Sequence, residues 1–85
     1  MINIKEMKAK SMAMEPMVRI GKSGISDSVI GEIKKQLQKD GMIKIKMLKS
    51  FIGTKDKKEV VKEIVEKTNS QLVHSIGFII VLARK

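Results

Sequence analysis

The stretch Pro16–Ser26, PMVRIGKSGIS, decides how the first half of the chain folds. Pro16 stops any helix that precedes it, because its ring clashes with the helical backbone one turn earlier. Met17–Ile20 is a short, mostly apolar segment that predicts a β-strand, and the polar residues after Gly24 predict the start of a helix. Gly21 and Gly24 let the backbone turn sharply between the two. The stretch therefore predicts a strand, a G-x-x-G turn and a helix.

The triplet Gly21-Lys22-Ser23 is also how a nucleotide-binding P-loop ends. That motif, G-x-x-x-x-G-K-[ST], requires a first glycine at position 16, where this chain has proline. No later apolar strand ends in an Asp that could hold magnesium, so we reject triphosphatase activity. A G-x-x-G turn before a helix instead suits a phosphodiester, since the helix directs free N–H groups toward it. A plain turn needs glycine equally, so the motif alone leaves both interpretations open.

Helices are predicted in three places. Residues 3–14 have loosely spaced apolar residues that favour a short helix. Ser26 or Asp27 can cap a second helix, which Gly41 is well placed to end. Asp56 followed by Glu59 resembles a capping box for a third helix. The apolar sides of the second and third helices consist of Val29, Ile30, Ile33 and Leu37, and of Val60, Val61, Ile64 and Val65.

Three further strands are predicted. Met42–Leu48 alternates between an apolar side and a wet side that carries Lys44 and Lys46. Leu72–Ile76 and Phe78–Arg84 flank Gly77 closely enough to form a hairpin, and the continuous apolar run of the latter favours a central position. The fold class is therefore α/β, with the order α-β-α-β-α-β-β and a four-stranded mixed sheet on which helices pack.

The composition of the chain directs the functional interpretation toward anionic partners. Its 85 residues include 18 Lys and Arg against 9 Asp and Glu, a net charge of +9. Basic residues outnumber acidic ones in each of the ranges 1–24, 25–50, 51–70 and 71–85, so a basic tail is not the source. A basic folded surface indicates nucleic acid first, then an anionic membrane, then an acidic protein.

Several functional classes are disfavoured by what the chain lacks. It contains no cysteine and one histidine, His74, which we interpret as structural, so neither a metal or other cofactor nor catalysis is expected. No apolar run approaches the roughly 20 residues of a membrane span, and no secretory signal is evident. We expect one domain over residues 1–85, monomeric and cytoplasmic, with no membrane partner and no small-molecule substrate.

The chain from Pro16 to Arg84 resembles the YhbY family of RNA-binding proteins, the stand-alone form of the CRM domain. The segments that carry the resemblance are PMVRIGKSGIS, VIGEIKKQL, IKIKML and LVHSIGFIIVLAR, in matching order and spacing. It implies a fold like the C-terminal domain of translation initiation factor three with an added N-terminal helix. It also implies RNA binding without catalysis, with prokaryotic members linked to precursors of the large ribosomal subunit.

The resemblance extends to single residues. Gly21 and Gly24 hold the positions of the family's loop glycines, and Pro16 and Gly77 also match. The chain departs from the family at three places. Ser11-Met12-Ala13 replaces Ala-His before the proline, Phe78 stands where a basic residue is common, and Leu82-Ala83-Arg84 replaces Leu-Tyr-Arg.

Binding is expected to be mostly electrostatic, because two phenylalanines, Phe51 and Phe78, are the only aromatic residues and cannot form a base-stacking platform. Phe51 is either packed or exposed, and Phe78 is expected in the core. The predicted RNA-binding residues are Arg19, Gly21, Lys22, Ser23, Gly24, Lys8, Lys10, Lys44 and Lys46. A double-stranded DNA-binding architectural protein and an adaptor for an acidic protein partner are the alternatives.

Overall fold

A computed structural model describes residues 5–6, 9–10, 14–53 and 55–85. Its elements are β1 (Val18–Ile20), α1 (Asp27–Asp40), β2 (Met42–Met47), α2 (Lys49–Ile52), α3 (Lys57–Thr68), β3 (Ser70–Ile76) and β4 (Ile79–Arg84). Residues 5–6 and 9–10, inside the predicted N-terminal helix, also have helical backbone. The predicted α/β fold is confirmed, and α2 is an additional short helix that the sequence analysis did not predict.

The four strands form one mixed sheet in the order β1-β2-β4-β3. β1 runs parallel to β2, whereas β4 is antiparallel to both β2 and β3. The predicted hairpin and the central position of β4 are therefore confirmed. The expectation that Phe78 lies in the core was wrong: it belongs to the hairpin turn with Gly77, and 47% of its surface is exposed.

One face of the sheet carries the main core. Alternate strand residues point toward α1 and α3, because side chains in a strand alternate between the two faces. The strand members of this cluster are Val18, Ile20, Ile43, Ile45, Met47, Ile80 and Leu82. Ile33 and Leu37 from α1, and Val60, Val61 and Ile64 from α3, pack against them.

The opposite face carries a smaller apolar cluster at one end. Met42, Val73, Val81 and Ala83 are buried there, and Met14 packs against them. The ammonium group of Lys44 donates a hydrogen bond of 2.9 Å to the carbonyl of Met14. The segment before β1 is therefore attached to this face by both apolar contact and a hydrogen bond. The remainder of this face is called the open face below.

The two longer helices begin and end at residues suited to capping. Ser26 caps α1, accepting a hydrogen bond of 3.2 Å from the Val29 N–H. Gly41, with a φ of 78°, ends the same helix. The Asp56 carboxylate caps α3 through the N–H of Lys58 at 2.9 Å, one residue earlier than a capping box would use.

Among the helices that the structure describes, none has the length and apolar character needed to cross a membrane.

The difference in burial between two isoleucines of the sheet gives a test of this packing. Ile45 is completely buried, whereas 62% of Ile76 is exposed. We expect Ile45→Ala to lower the free energy of unfolding by about 3 kcal/mol, because it removes buried methylene groups and leaves a cavity. Ile76→Ala should cost less than about 1 kcal/mol. Urea unfolding followed by circular dichroism measures both, and equal losses would contradict the assigned faces of the sheet.

Candidate nucleic-acid interface

The G-x-x-G stretch forms a closed turn. The N–H of Gly24 donates to the carbonyl of Gly21 at 2.9 Å, which leaves Lys22 and Ser23 at the two central positions. Both central side chains are exposed. The N–H of Ser26 in turn donates to the carbonyl of Gly24 at 3.1 Å, just before α1 begins. The turn therefore presents an ammonium group and a hydroxyl at a fixed point beside the start of the helix.

The turn rests on the residues that follow β2. A Cβ atom at Gly24 would lie 3.7 Å from Cε1 of Phe51, and one at Gly21 would lie 3.2 Å from Cδ1 of Leu48. Phe51 is only 7% exposed. The sequence left open whether Phe51 is packed or exposed, and the structure shows that it is packed. Its ring supports the turn and offers no face for a nucleic-acid base.

A polar cavity of about 310 Å³ opens beside the turn. Its lining residues are Lys22, Gly24, Ile25, Ser50, Phe51, Lys55, Val60 and Glu63. The ammonium of Lys55 lies 5.7 Å from the centroid of the Phe51 ring, within cation–π range. The Glu63 carboxylate, the one acidic group in the lining, is 3.2 Å from the ammonium of Lys67. Lys22 and Lys55 therefore supply two cationic groups to the lining of the cavity.

Ser50 and Lys55 are members of this site that the sequence analysis missed. Ser50 lies in α2 and Lys55 follows it, and a four-residue helix is too short for a periodic pattern to predict. The sequence offered one indication, namely a lysine close to an aromatic residue and a glycine in the segment Phe51–Lys55.

A row of side chains crosses the open face of the sheet. Arg19 is in register with Lys46, Lys46 with Ile79, and Ile79 with Ile76, so one residue of each strand contributes. Residues in register point to the same face. Arg19 and Lys46 are both exposed. The prediction that Arg19 shares a face with Lys44 and Lys46 is confirmed.

The cationic half of this row and the turn belong to the same end of the sheet. The N–H of Leu48 donates to the carbonyl of Ile20 at 2.8 Å, and the N–H of Met47 donates to the carbonyl of Phe78 at 2.7 Å. The ends of β1 and β2 and the hairpin turn therefore meet there. Arg19 is the residue before Ile20, and Lys46 is the residue before Met47, so both lie next to these hydrogen bonds. We call Arg19, Lys46 and the turn 21–24 the basic end of the sheet.

The other predicted residues lie in different surroundings. Lys44 is half-buried and its ammonium already donates to Met14, so part of its hydrogen-bonding capacity is occupied. Lys10 is exposed on helical backbone, while Lys8 lies outside the described residues. His74 is half-buried on β3, in register with Val81.

The described part of the chain holds no group of three or more His, Cys, Asp or Glu side chains that could bind a metal.

The architecture defines a small basic α/β domain in which a G-x-x-G turn joins a strand to a helix at the cationic end of the sheet. Residues 3–84 match the model of the CRS1/YhbY (CRM) domain family. The chain belongs to this family, which confirms the resemblance seen in the sequence.

Relatives of the chain extend this comparison. A probable RNA-binding protein of Methanocaldococcus jannaschii is 35% identical over 78 residues, which cover 92% of this chain and 58% of that protein. The probable RNA-binding protein YqeI of Bacillus subtilis is 32% identical over 79 residues, covering 93% of this chain and 80% of YqeI. The solution structure of the hypothetical protein SAV1595 from Staphylococcus aureus is similar with a TM-score of 0.78 and 32% identity, covering all of this chain and 90% of that one.

The backbone of the turn gives a second prediction. Gly24 has a φ of +69°, a left-handed conformation that disfavours a Cβ atom, and the space beside it allows ordinary contact with Phe51. Gly24→Ala should therefore lower the free energy of unfolding by about 1 kcal/mol through backbone strain. Gly24→Asn should cost less, because asparagine tolerates this conformation. Chemical denaturation of both variants is the measurement. A larger loss for the bulkier Asn would assign the cost to crowding against Phe51.

Proposed function

We propose that this protein binds RNA through the basic end of its sheet. The observation that carries the proposal is the meeting of the Lys22-Ser23 turn with Arg19 and Lys46 at one end of the sheet. The names of relatives from Methanocaldococcus jannaschii and Bacillus subtilis, both called probable RNA-binding proteins, support it. The net charge of +9 supports it as well, since phosphate contacts dominate nucleic-acid affinity.

The turn supplies contacts to one part of the RNA backbone. Lys22 provides a charge, Ser23 a hydroxyl, and Lys55 a second ammonium from the lining of the same cavity. The N-terminus of α1 adds a positive dipole end, which Asp27 in its first turn partly offsets. A turn already closed by its own hydrogen bond loses little conformational freedom when it binds.

The open face supplies a second line of cations. Arg19 can form two parallel hydrogen bonds to one phosphate, whereas Lys46 acts as a point charge beside it. Lys44 adds charge to the same face while bonded to Met14. Lys10, exposed on helical backbone, extends the proposed surface, and Lys8, outside the described residues, stays a predicted contact. The chemistry required is binding alone, and the proposal assigns no catalytic step to any side chain.

The proposed target is ribosomal RNA of the large subunit or its precursors, bound by a cytoplasmic monomer during ribosome assembly. The support for this target is the family to which the chain belongs. The mode of recognition follows from the residues: Phe51 is buried, so recognition depends on phosphates, 2′-hydroxyl groups and the shape of a folded RNA.

Salt dependence tests the electrostatic mechanism. If roughly four phosphates are neutralised, log K should fall by about 3 for each tenfold increase in salt. Lys22→Gln and Arg19→Gln should each reduce that slope by about 0.7, because each removes one phosphate contact. Lys35→Gln, an exposed position on α1, is the control and should leave the slope unchanged. Fluorescence anisotropy with a labelled RNA measures the slopes. An equal reduction in all three variants would show that only net charge matters.

The target is tested by ultraviolet crosslinking in native cells, followed by sequencing of the attached RNA. Lys22→Asp combined with Ser23→Asp keeps both glycines and changes the charge of the turn by −3. Lys35→Asp combined with Gln38→Asp, at exposed positions of α1, makes the same change elsewhere. We expect large-subunit ribosomal RNA on the wild type and the control, and its loss from the turn variant. Crosslinks retained by the turn variant would place the binding site away from the turn. Recovery of crosslinked DNA or protein without any RNA would overturn RNA binding.

A further inference from the structure

Three of the four lysines of α3 lie together beside two of its valines. In the sequence Lys57, Lys58 and Lys62 alternate with glutamates, which predicts a solvated, ion-paired face. At 3.6 residues per turn, however, the three lysines flank Val61 and Val65. Glu59, Glu63 and Glu66 fall on the adjoining side of the helix, and Lys62 lies at the boundary between the two sides. The interpretation as one mixed face was therefore incomplete, and one side of α3 is both basic and apolar.

That side of α3 faces a groove along β3. The groove has a volume of about 560 Å³ and is lined mainly by Lys57, Lys58, Val61, Lys62, Val65 and Leu72. Leu72 is in register with Leu82 and so points to the helix-covered face, yet 42% of its surface is exposed. β3 is an edge strand of the sheet, so the groove is open on its outer side. An exposed leucine and two valines form its apolar floor.

Among the residues that the structure describes, no carboxylate lies within ion-pair distance of the lysines on the rim of the groove. In the portion of the chain that the structure describes, the one ion pair joins Lys67 to Glu63, away from the groove. Lys58 and Lys62 are one turn apart, where like charges destabilise a helix. The rim therefore has unneutralised positive charge directly beside an apolar surface.

We propose that this groove binds a short segment of a partner protein that combines apolar side chains with Asp or Glu. Apolar side chains would fill the floor at Val61, Val65 and Leu72, and carboxylates would pair with the lysines of the rim. A bound RNA would use the lysines through its phosphates, but the floor offers no aromatic or guanidinium group on which its bases could stack. Charge complementarity and the apolar floor together therefore favour a peptide.

The groove is independent of the proposed RNA-binding surface. Val60 and Glu63 of α3 line the cavity beside the turn, whereas Val61 and Val65 line the groove, so the helix separates the two. The register shift between Leu72 and His74 interrupts the regular edge of β3. Such a bulge discourages the addition of a further strand, so recognition rests on side chains that enter the groove.

Selection of short random peptides displayed on phage, with the intact protein immobilised, tests the proposal. Peptides that emerge are synthesised, and their affinities are measured by fluorescence anisotropy. We expect a shared pattern of Leu, Ile or Phe next to Asp or Glu. Leu72→Glu, and Lys58→Glu combined with Lys62→Glu, should each weaken binding by roughly tenfold or more, the effect of losing a well-placed contact. Lys34→Glu combined with Lys35→Glu, exposed on α1, makes the same charge change and should leave peptide affinity unaltered.

Two controls separate a loss of groove contacts from a loss of folding. Thermal unfolding followed by circular dichroism selects the variants that remain folded, and the charge-reversal pair and Leu72→Glu probe the groove separately. RNA affinity of the groove variants should match that of the α1 control. Peptides without acidic residues, no enriched pattern, or binding that survives both groove changes would overturn the proposal. A loss of RNA affinity specific to the groove variants would show instead that the groove is an RNA surface.

Discussion

The alternation within β2 is the constraint on which the rest of the molecule depends. Ile43, Ile45 and Met47 enter the main core, so Lys44 and Lys46 must point to the opposite face. A shift of one residue would bury both lysines, which fixes the register of the strand. Because β1 pairs in parallel with β2, the same register aligns Arg19 with Lys46. The cationic side of the sheet thus follows from the same pattern that builds the core.

Local patterns predicted most of the fold because local chemistry determines it. The strand alternation, the caps at Ser26 and Asp56 and the turn at Gly77 each depend on a few neighbouring residues. Failures occurred where two local signals conflict or where distant residues decide the outcome. Phe78 extends an apolar run and was assigned to the core, yet the hairpin needs its turn at that point. The site was predicted at Lys22 and Arg19, while Lys55 joins it through the unpredicted α2.

The positive charge of this molecule is divided between separate surfaces, which the net charge alone does not describe. Lys22 and Lys55 face the cavity beside the turn, and Lys58 and Lys62 face the groove on the other side of α3. One helix of 12 residues therefore borders two basic surfaces whose neighbours differ, one mostly polar and one mostly apolar. A formal charge of +9 would describe both surfaces in the same way, although their chemistry suits different ligands.

The strand that leads into the turn is short and lies at the margin of the sheet. β1 has three residues and pairs with β2 alone, although Val18 and Ile20 are buried. Edge segments with few ladder bonds open more readily than central strands. Opening of β1 would displace Arg19 and the turn together. A ligand held by both would therefore oppose this opening and slow amide hydrogen exchange in β1, even without contacting the backbone of that strand.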